Sequence, residues 1–141
     1  MTVVVGVDDS DRSVTAVRTA ARFASTLGGG LHVVFVSHIP ATMLAVLAGV
    51  PSAADDLVAA QREAVWDKLR AELDELTVSV ETVDLEGYPA DELVRYAEEA
   101  GADLLVVGSR GRGDLASLVL GSTSHRVVNH APCDVLVVRS D

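Results

Sequence analysis

The chain has 141 residues, 49% of them hydrophobic but only 4% aromatic, and a formal net charge of -10. That is the length of one ordinary domain with an aliphatic core. The charge excludes the basic surface that nucleic-acid binding needs, and a charged fraction of 23% argues against disorder.

The run "TVVVGVD", residues 2–8, is short and β-branched, as a fully buried parallel strand is. Val14, Val17, Ala21 and Ala24 then fall at helical spacing, with Asp11 or Ser10 able to cap the start and Gly28–Gly30 to end it. Residues 31–39, "LHVVFVSHI", read as a second strand. Residues 40–54 are apolar but bracketed by Pro40 and Pro51, which predicts a loop with a short helical piece. Residues 55–76 carry Leu57, Val58, Val65, Leu69, Leu73 and Leu76 near one helix face. Residues 77–85 alternate like a strand, and a helix opens at Pro89 and closes at Gly101. "ADLLVVGS" is the fourth strand, residues 122–130 form a short helix with Ser122 as its cap, and "CDVLVVRS" is the last strand. Strands alternating with helices predict an α/β fold: a five-stranded, mainly parallel sheet with helices on both faces. In such a sheet a ligand sits beyond the carboxyl ends of the strands, where the winding reverses.

No apolar run reaches the roughly 18 residues of a membrane span. Met1 leads into the first strand without a basic leader, so a soluble cytoplasmic protein with no membrane partner is expected. Cys133 is the only cysteine, which leaves no intrachain disulfide and reads as a buried thiol. His32 and His38 lack ligand spacing, so no protein-built metal site is expected. No Ser-His-Asp or Cys-His arrangement stands out either.

Residues 106–123, "VVGSRGRGDLASLVLGST", hold three overlapping glycine patterns. Gly108 and Gly113 have P-loop spacing, but Asp114 and Leu115 stand where that motif needs Lys and Ser or Thr. Gly111, Gly113 and Ala116 match a dinucleotide fingerprint, yet too little chain follows to supply its ribose carboxylate. Gly108, Gly111, Gly121 and Ser122 fit G-x2-G-x9-G-[ST] at every position. Glycines let the backbone approach phosphate oxygens, successive amides form an anion seat, and Ser122 and Thr123 open a helix whose free amides favour an anion. Ser109 lies beside this turn, and Gly113 ends it. Residues 1–103 carry a net charge of -11 and residues 104–141 a net of +1, so the pattern falls in the one segment that is not acidic.

This third pattern resembles the nucleotide-binding motif of universal stress proteins. "VVVGVDDSDRS" is similar to that family's first strand and helix start, and "HAPCDVLVVR" to its final strand, so the resemblance runs over essentially the whole chain. Asp134 departs from it, standing where family members often have proline. The resemblance implies one domain over residues 1–141, Rossmann-like and of the adenine-nucleotide alpha-hydrolase-like type. It implies ATP as ligand, with Mg2+ arriving on the triphosphate, and a homodimer formed through the last strand. Asp8 is then a contact to the adenosine near its ribose, its other reading being an Asx turn or helix cap, for which Asp9 and Asp11 are the better candidates. The Val36 backbone reads the adenine edge, and Val107 packs on the base. Gly108, Ser109, Gly111, Gly113, Gly121, Ser122 and Thr123 form the phosphate seat. With no evident general base, the implied role is a nucleotide-dependent regulatory module of the stress response with little or no turnover. A slow ATPase or nucleotide hydrolase on the same scaffold is the alternative.

Overall fold

The computed structural model describes residues 1–109 and 120–139. The elements follow in the order β1 (Thr2–Val7), α1 (Arg12–Leu27), β2 (Gly30–Ser37), α2 (Ala41–Leu47), α3 (Ala53–Asp74), β3 (Val80–Glu86), α4 (Pro89–Glu99), β4 (Leu104–Gly108), α5 (Ser122–His130) and β5 (Asp134–Val138). The five strands form one sheet in the order β3-β2-β1-β4-β5, and every pairing is parallel. The fold class expected from the sequence is the fold found.

Each strand feeds both faces of the sheet, because successive side chains point to opposite sides. Val3, Val5, Leu31, Val33, Phe35 and Val106 face α1 and α3, where they meet Ala16, Val17, Ala20, Val65 and Leu69. Val4, Val34, Val36, Leu105 and Val107 face the other way and meet Leu93, Ala97 and Val127 of α4 and α5. Burial on both faces explains why these strands read as unbroken apolar runs. Each Val or Leu so buried contributes roughly 1.5–3 kcal/mol.

Helix ends follow local chemistry. Gly28 takes φ 69 at the end of α1, and the Gly29 N–H is donated back to Ala24 C=O at 2.8 Å, a left-handed close that suits glycine. Pro89 opens α4. Two helix starts differ from the sequence reading. Asp11 occupies the cap position of α1 but makes no side-chain cap bond; it pairs instead with Lys68 at 2.7 Å. At α5 the cap is Gly121, not Ser122. The Gly121 carbonyl accepts the His125 N–H at 2.9 Å, so the helix begins one residue earlier than the serine suggests. β3 also starts later than residue 77, because pairing with β2 begins only at Val80, opposite Leu31.

The segment between the two prolines does contain a helix, α2, and none of its residues is buried. Cys133 is half-buried, and burial, with Asp134 and Asp103 adding to it, pushes its thiol up from the ordinary value. Among the described residues no helix is long and apolar enough to cross a membrane.

Candidate functional site

β1 is the centre of the sheet, with β2 on one side and β4 on the other. The strand order reverses between β1 and β4, which is where such a sheet leaves a crevice beyond its carboxyl ends. A cleft of about 530 Å³ occupies that place. It is lined by Asp8 at the end of β1, by Val36 and His38 at the end of β2, by Val107 and Gly108 at the end of β4, and by Ser122 and Thr123 at the start of α5. Six residues singled out from the sequence, Asp8, Val36, Val107, Gly108, Ser122 and Thr123, therefore share one wall system.

Asp8 is held tightly. Its Oδ1 accepts the Ser10 N–H at 2.9 Å, the Ser10 hydroxyl at 2.5 Å and the Ser13 hydroxyl at 3.0 Å. Its own N–H is donated to Ser13 Oγ at 2.8 Å. This is an Asx turn, and it is made by Asp8 rather than by Asp9 or Asp11. Asp8 closes this turn and also lines the cleft. Lys68 of α3 steadies the loop from outside, donating to Asp9 C=O at 3.0 Å and pairing with Asp11. The bonded Lys68 ammonium holds the Asp11 carboxyl below its ordinary value.

Val36 owes its position to register. The Gly30 N–H is given to Met1 C=O on the β1 side, and the Leu31 N–H to Ser79 C=O on the β3 side. Backbone groups alternate along a strand, so even-numbered residues of β2 face β1. The β1–β2 ladder stops at the Val7–Phe35 pair. The Val36 carbonyl is therefore directed past the end of β1, into the crevice. It is an acceptor that the ladder does not use.

The phosphate-seat candidates divide. The Gly121 N–H is donated to Ser109 C=O at 2.7 Å, and the Ser109 N–H to Val138 C=O at 2.8 Å. Ser109 is buried, and its backbone ties β4 to β5 and to the start of α5. Gly121 is thus brought beside the end of β4, next to Gly108, through Ser109. Ser109 and Gly121 support the wall from behind and do not line it. The buried Ser124 hydroxyl adds a second tie, donating to Gly108 C=O. Gly111 and Gly113 lie outside the described residues, as do Arg110 and Arg112. His125 is exposed on α5, and its C=O accepts from Asn129 at 3.0 Å.

Several lining residues gave no signal in the sequence. Pro89 and Leu93 come from α4, and Gln61 and Val65 from α3. The amide of Gln61 reaches His38 C=O at 3.4 Å, and the His38 ring lies 4.9 Å from that of Tyr88. Gly6 admits Leu93 to the cleft floor: a Cβ there would stand 2.7 Å from Leu93 Cδ1. Only Gly6 carried a detectable mark, a glycine inside an apolar strand, which signals close approach.

The geometry defines a parallel α/β protein with a cleft of mixed apolar and polar lining at its topological reversal. The chain belongs to the universal stress protein family, whose pattern it matches over residues 1–139. It is 31% identical to the universal stress protein MJ0531 of Methanocaldococcus jannaschii, over 97% of this chain and 81% of that one. The universal stress protein UspA from Lactobacillus plantarum superposes with a TM-score of 0.87 at 28% identity, covering 99% of this chain and 97% of that one. A universal stress protein solved in complex with cAMP superposes at 0.69 with 32% identity, covering 100% and 98% of the two chains.

The Ser124 tie is testable by itself. Ser124→Ala removes the hydroxyl that Gly108 C=O accepts from, and losing such a hydrogen bond costs about 0.5–1.5 kcal/mol. Urea unfolding is expected to show a lower midpoint with an unchanged slope; an unchanged midpoint contradicts the tie.

Proposed function

We propose that this chain is an ATP-binding universal stress protein that acts as a nucleotide-dependent regulatory module with little or no turnover. The observation that supports the reading is that one cleft brings Val36 and Val107 together with Ser122 and Thr123. The Val36 carbonyl, directed past the end of β1, suits the donor edge of a 6-aminopurine. Val107, Leu93 and Pro89 supply apolar surface for the base. The start of α5, with Ser122 and Thr123 on the cleft, offers free amides and hydroxyls to phosphate. Gly111 and Gly113 complete the seat in this reading, as Gly108 does on the β4 side. A relative at 32% identity is known in complex with cAMP, which is consistent with an adenine nucleotide as the ligand class.

Among the described residues no group of three or more His, Cys, Asp or Glu side chains is placed to hold a metal ion. In this reading Mg2+ enters as a companion of the triphosphate and keeps several of its waters. In this reading Asp8, whose Oδ1 is engaged by Ser10 and Ser13, orients the nucleotide and does not activate water. A cytoplasmic setting, where ATP is at hand, goes with this reading.

The sheet edge at β5 supports a homodimer. β5 is the outermost strand beside β4, and it carries Val135, Leu136 and Val137 half-exposed. An apolar strand edge invites pairing with another chain.

Two measurements check these statements. Equilibrium dialysis with labelled ATP and Mg2+ is expected to show binding, and no binding at millimolar ATP contradicts the reading. Ser122 is exposed and lines the cleft, so Ser122→Asp is expected to fold and to lose binding through the carboxylate it places by the phosphates. Light scattering at micromolar concentration is expected to give twice the chain mass; a monomer contradicts the β5 pairing.

A further inference from the structure

We infer that the outer edge of β3, with the groove beside it, docks an extended, lysine- or arginine-bearing segment of a partner protein as a sixth strand. The inference is independent of the nucleotide reading, because no residue of β3 lines the cleft. β3 ends the sheet on the side away from β5, and among the described residues no strand lies beyond it. Its pairing with β2 decides which backbone groups it spends. The Leu31 N–H is given to Ser79 C=O, and the Gly87 N–H to Ser37 C=O. Odd-numbered residues of β3 therefore face β2, and the N–H and C=O groups of Val80, Thr82, Asp84 and Glu86 point outward. Such a row is a template for strand addition.

The side chains beside that row form the second half of the surface. Trp66, Arg70, Leu73 and Asp74 of α3 and Val80 and Thr82 of β3 line a groove of about 320 Å³. Trp66, Leu73 and Val80 are only partly buried against the core, so apolar surface stays open at the edge. Trp66 is held in place by its Nε1–H, donated to Asp84 Oδ1 at 2.9 Å. A strand laid along β3 sends every second side chain to the α3 face. An apolar side chain there covers Trp66, Leu73 and Val80 while the backbone completes the ladder. Backbone bonds then supply affinity and the groove supplies selectivity.

Charge selects the occupant. The Glu81 and Glu86 side chains are 66% and 62% exposed, and Asp84 and Asp74 are exposed as well. The nearby cations are already engaged. Arg62 pairs with Glu86 at 3.3 Å and lies 3.7 Å from Asp84, and Arg70 pairs with Asp67 at 2.6 Å. His32 Nε2 lies 3.4 Å from Glu81. The edge stays acidic after these pairings. Setting it against the same edge of a second copy would place acid opposite acid, which is destabilising across a strand pair. Acidic side chains thus guard this edge against self-association. The same side chains attract a cationic strand, because opposite charges across a pair stabilise it.

Trp66 is the only tryptophan in the chain, so its fluorescence reads the groove directly. The probe is the peptide KKTVTVTKK, titrated into the full chain, with EETVTVTEE as its anionic counterpart. The lysine peptide is expected to shift the Trp66 emission saturably below about 1 mM and to bind at least about tenfold more tightly than the glutamate peptide. No saturable shift, or equal binding of the two peptides, overturns the inference. Thr82→Pro removes one outward N–H at an edge position, where proline is tolerated. It is expected to weaken the lysine peptide at least about tenfold; unchanged binding means charge attraction without a ladder and overturns the inference. A lower mass of Thr82→Pro than of the unmodified protein in light scattering means that this edge pairs two copies, and also overturns it. If Thr82→Pro does not fold, the double variant Asp74→Lys, Glu81→Lys, changed only at exposed positions, carries the test. It is expected to lose the preference for the lysine peptide, and a preference that persists overturns the inference.

Discussion

The site depends on where β1 stops. β1 is the central strand, and its ladder with β2 ends at the Val7–Phe35 pair, while β2 runs on to Ser37. That mismatch has two results. It leaves the Val36 carbonyl beyond its ladder, and it turns the chain at Asp8 into a tight Asx turn instead of a further strand residue. β4 lies on the other side of β1, so the strand order reverses there, and the cleft lies beyond the carboxyl ends of β1, β2 and β4. Remove the reversal and the same residues would line no common wall.

The charge of the protein is consistent with this construction. In the proposed reading an acidic chain, at -10, offers a phosphate the start of α5 with the hydroxyls of Ser122 and Thr123, and Arg12 lies on the same cleft. Amides and a helix terminus supply partial positive charge without a basic surface. Much of the acidic surface is also paired locally. Glu72 meets Arg18, Asp91 meets Arg126, and Arg95 lies between Glu92 and Glu99. Such exposed pairs contribute little stability, but they keep carboxylates engaged on the helices.

Element order was legible because the strands are unbroken β-branched runs and the helices have clear stops, so the fold class followed from pattern alone. The wall formed by Asp8, Val36, Val107, Gly108, Ser122 and Thr123 was legible through the long glycine pattern and the family resemblance that came with it. What escaped was non-local. Gln61 sits in a long helix whose pattern records only packing, and Leu93 looks like any core leucine until Gly6 is seen to make room for it. The helix starts were misread for a physical reason. A serine or aspartate beside a helix has several backbone partners within reach, and Asp11 took Lys68 while Asp8 took Ser10 and Ser13. Gly121 displaced Ser122 as cap because its backbone is already committed to Ser109 and His125.

The most direct test of a nucleotide seat at this reversal is a titration of the 15N-labelled protein with ATP and Mg2+, followed by the backbone amide resonances. The account predicts saturable shifts at Asp8, Val36, His38, Val107, Gly108, Ser122 and Thr123, with the groove beside Trp66 and Thr82 on the far side of α3 unmoved. Shifts that centre on that groove, or no saturable shift at the carboxyl ends of β1, β2 and β4, would contradict it.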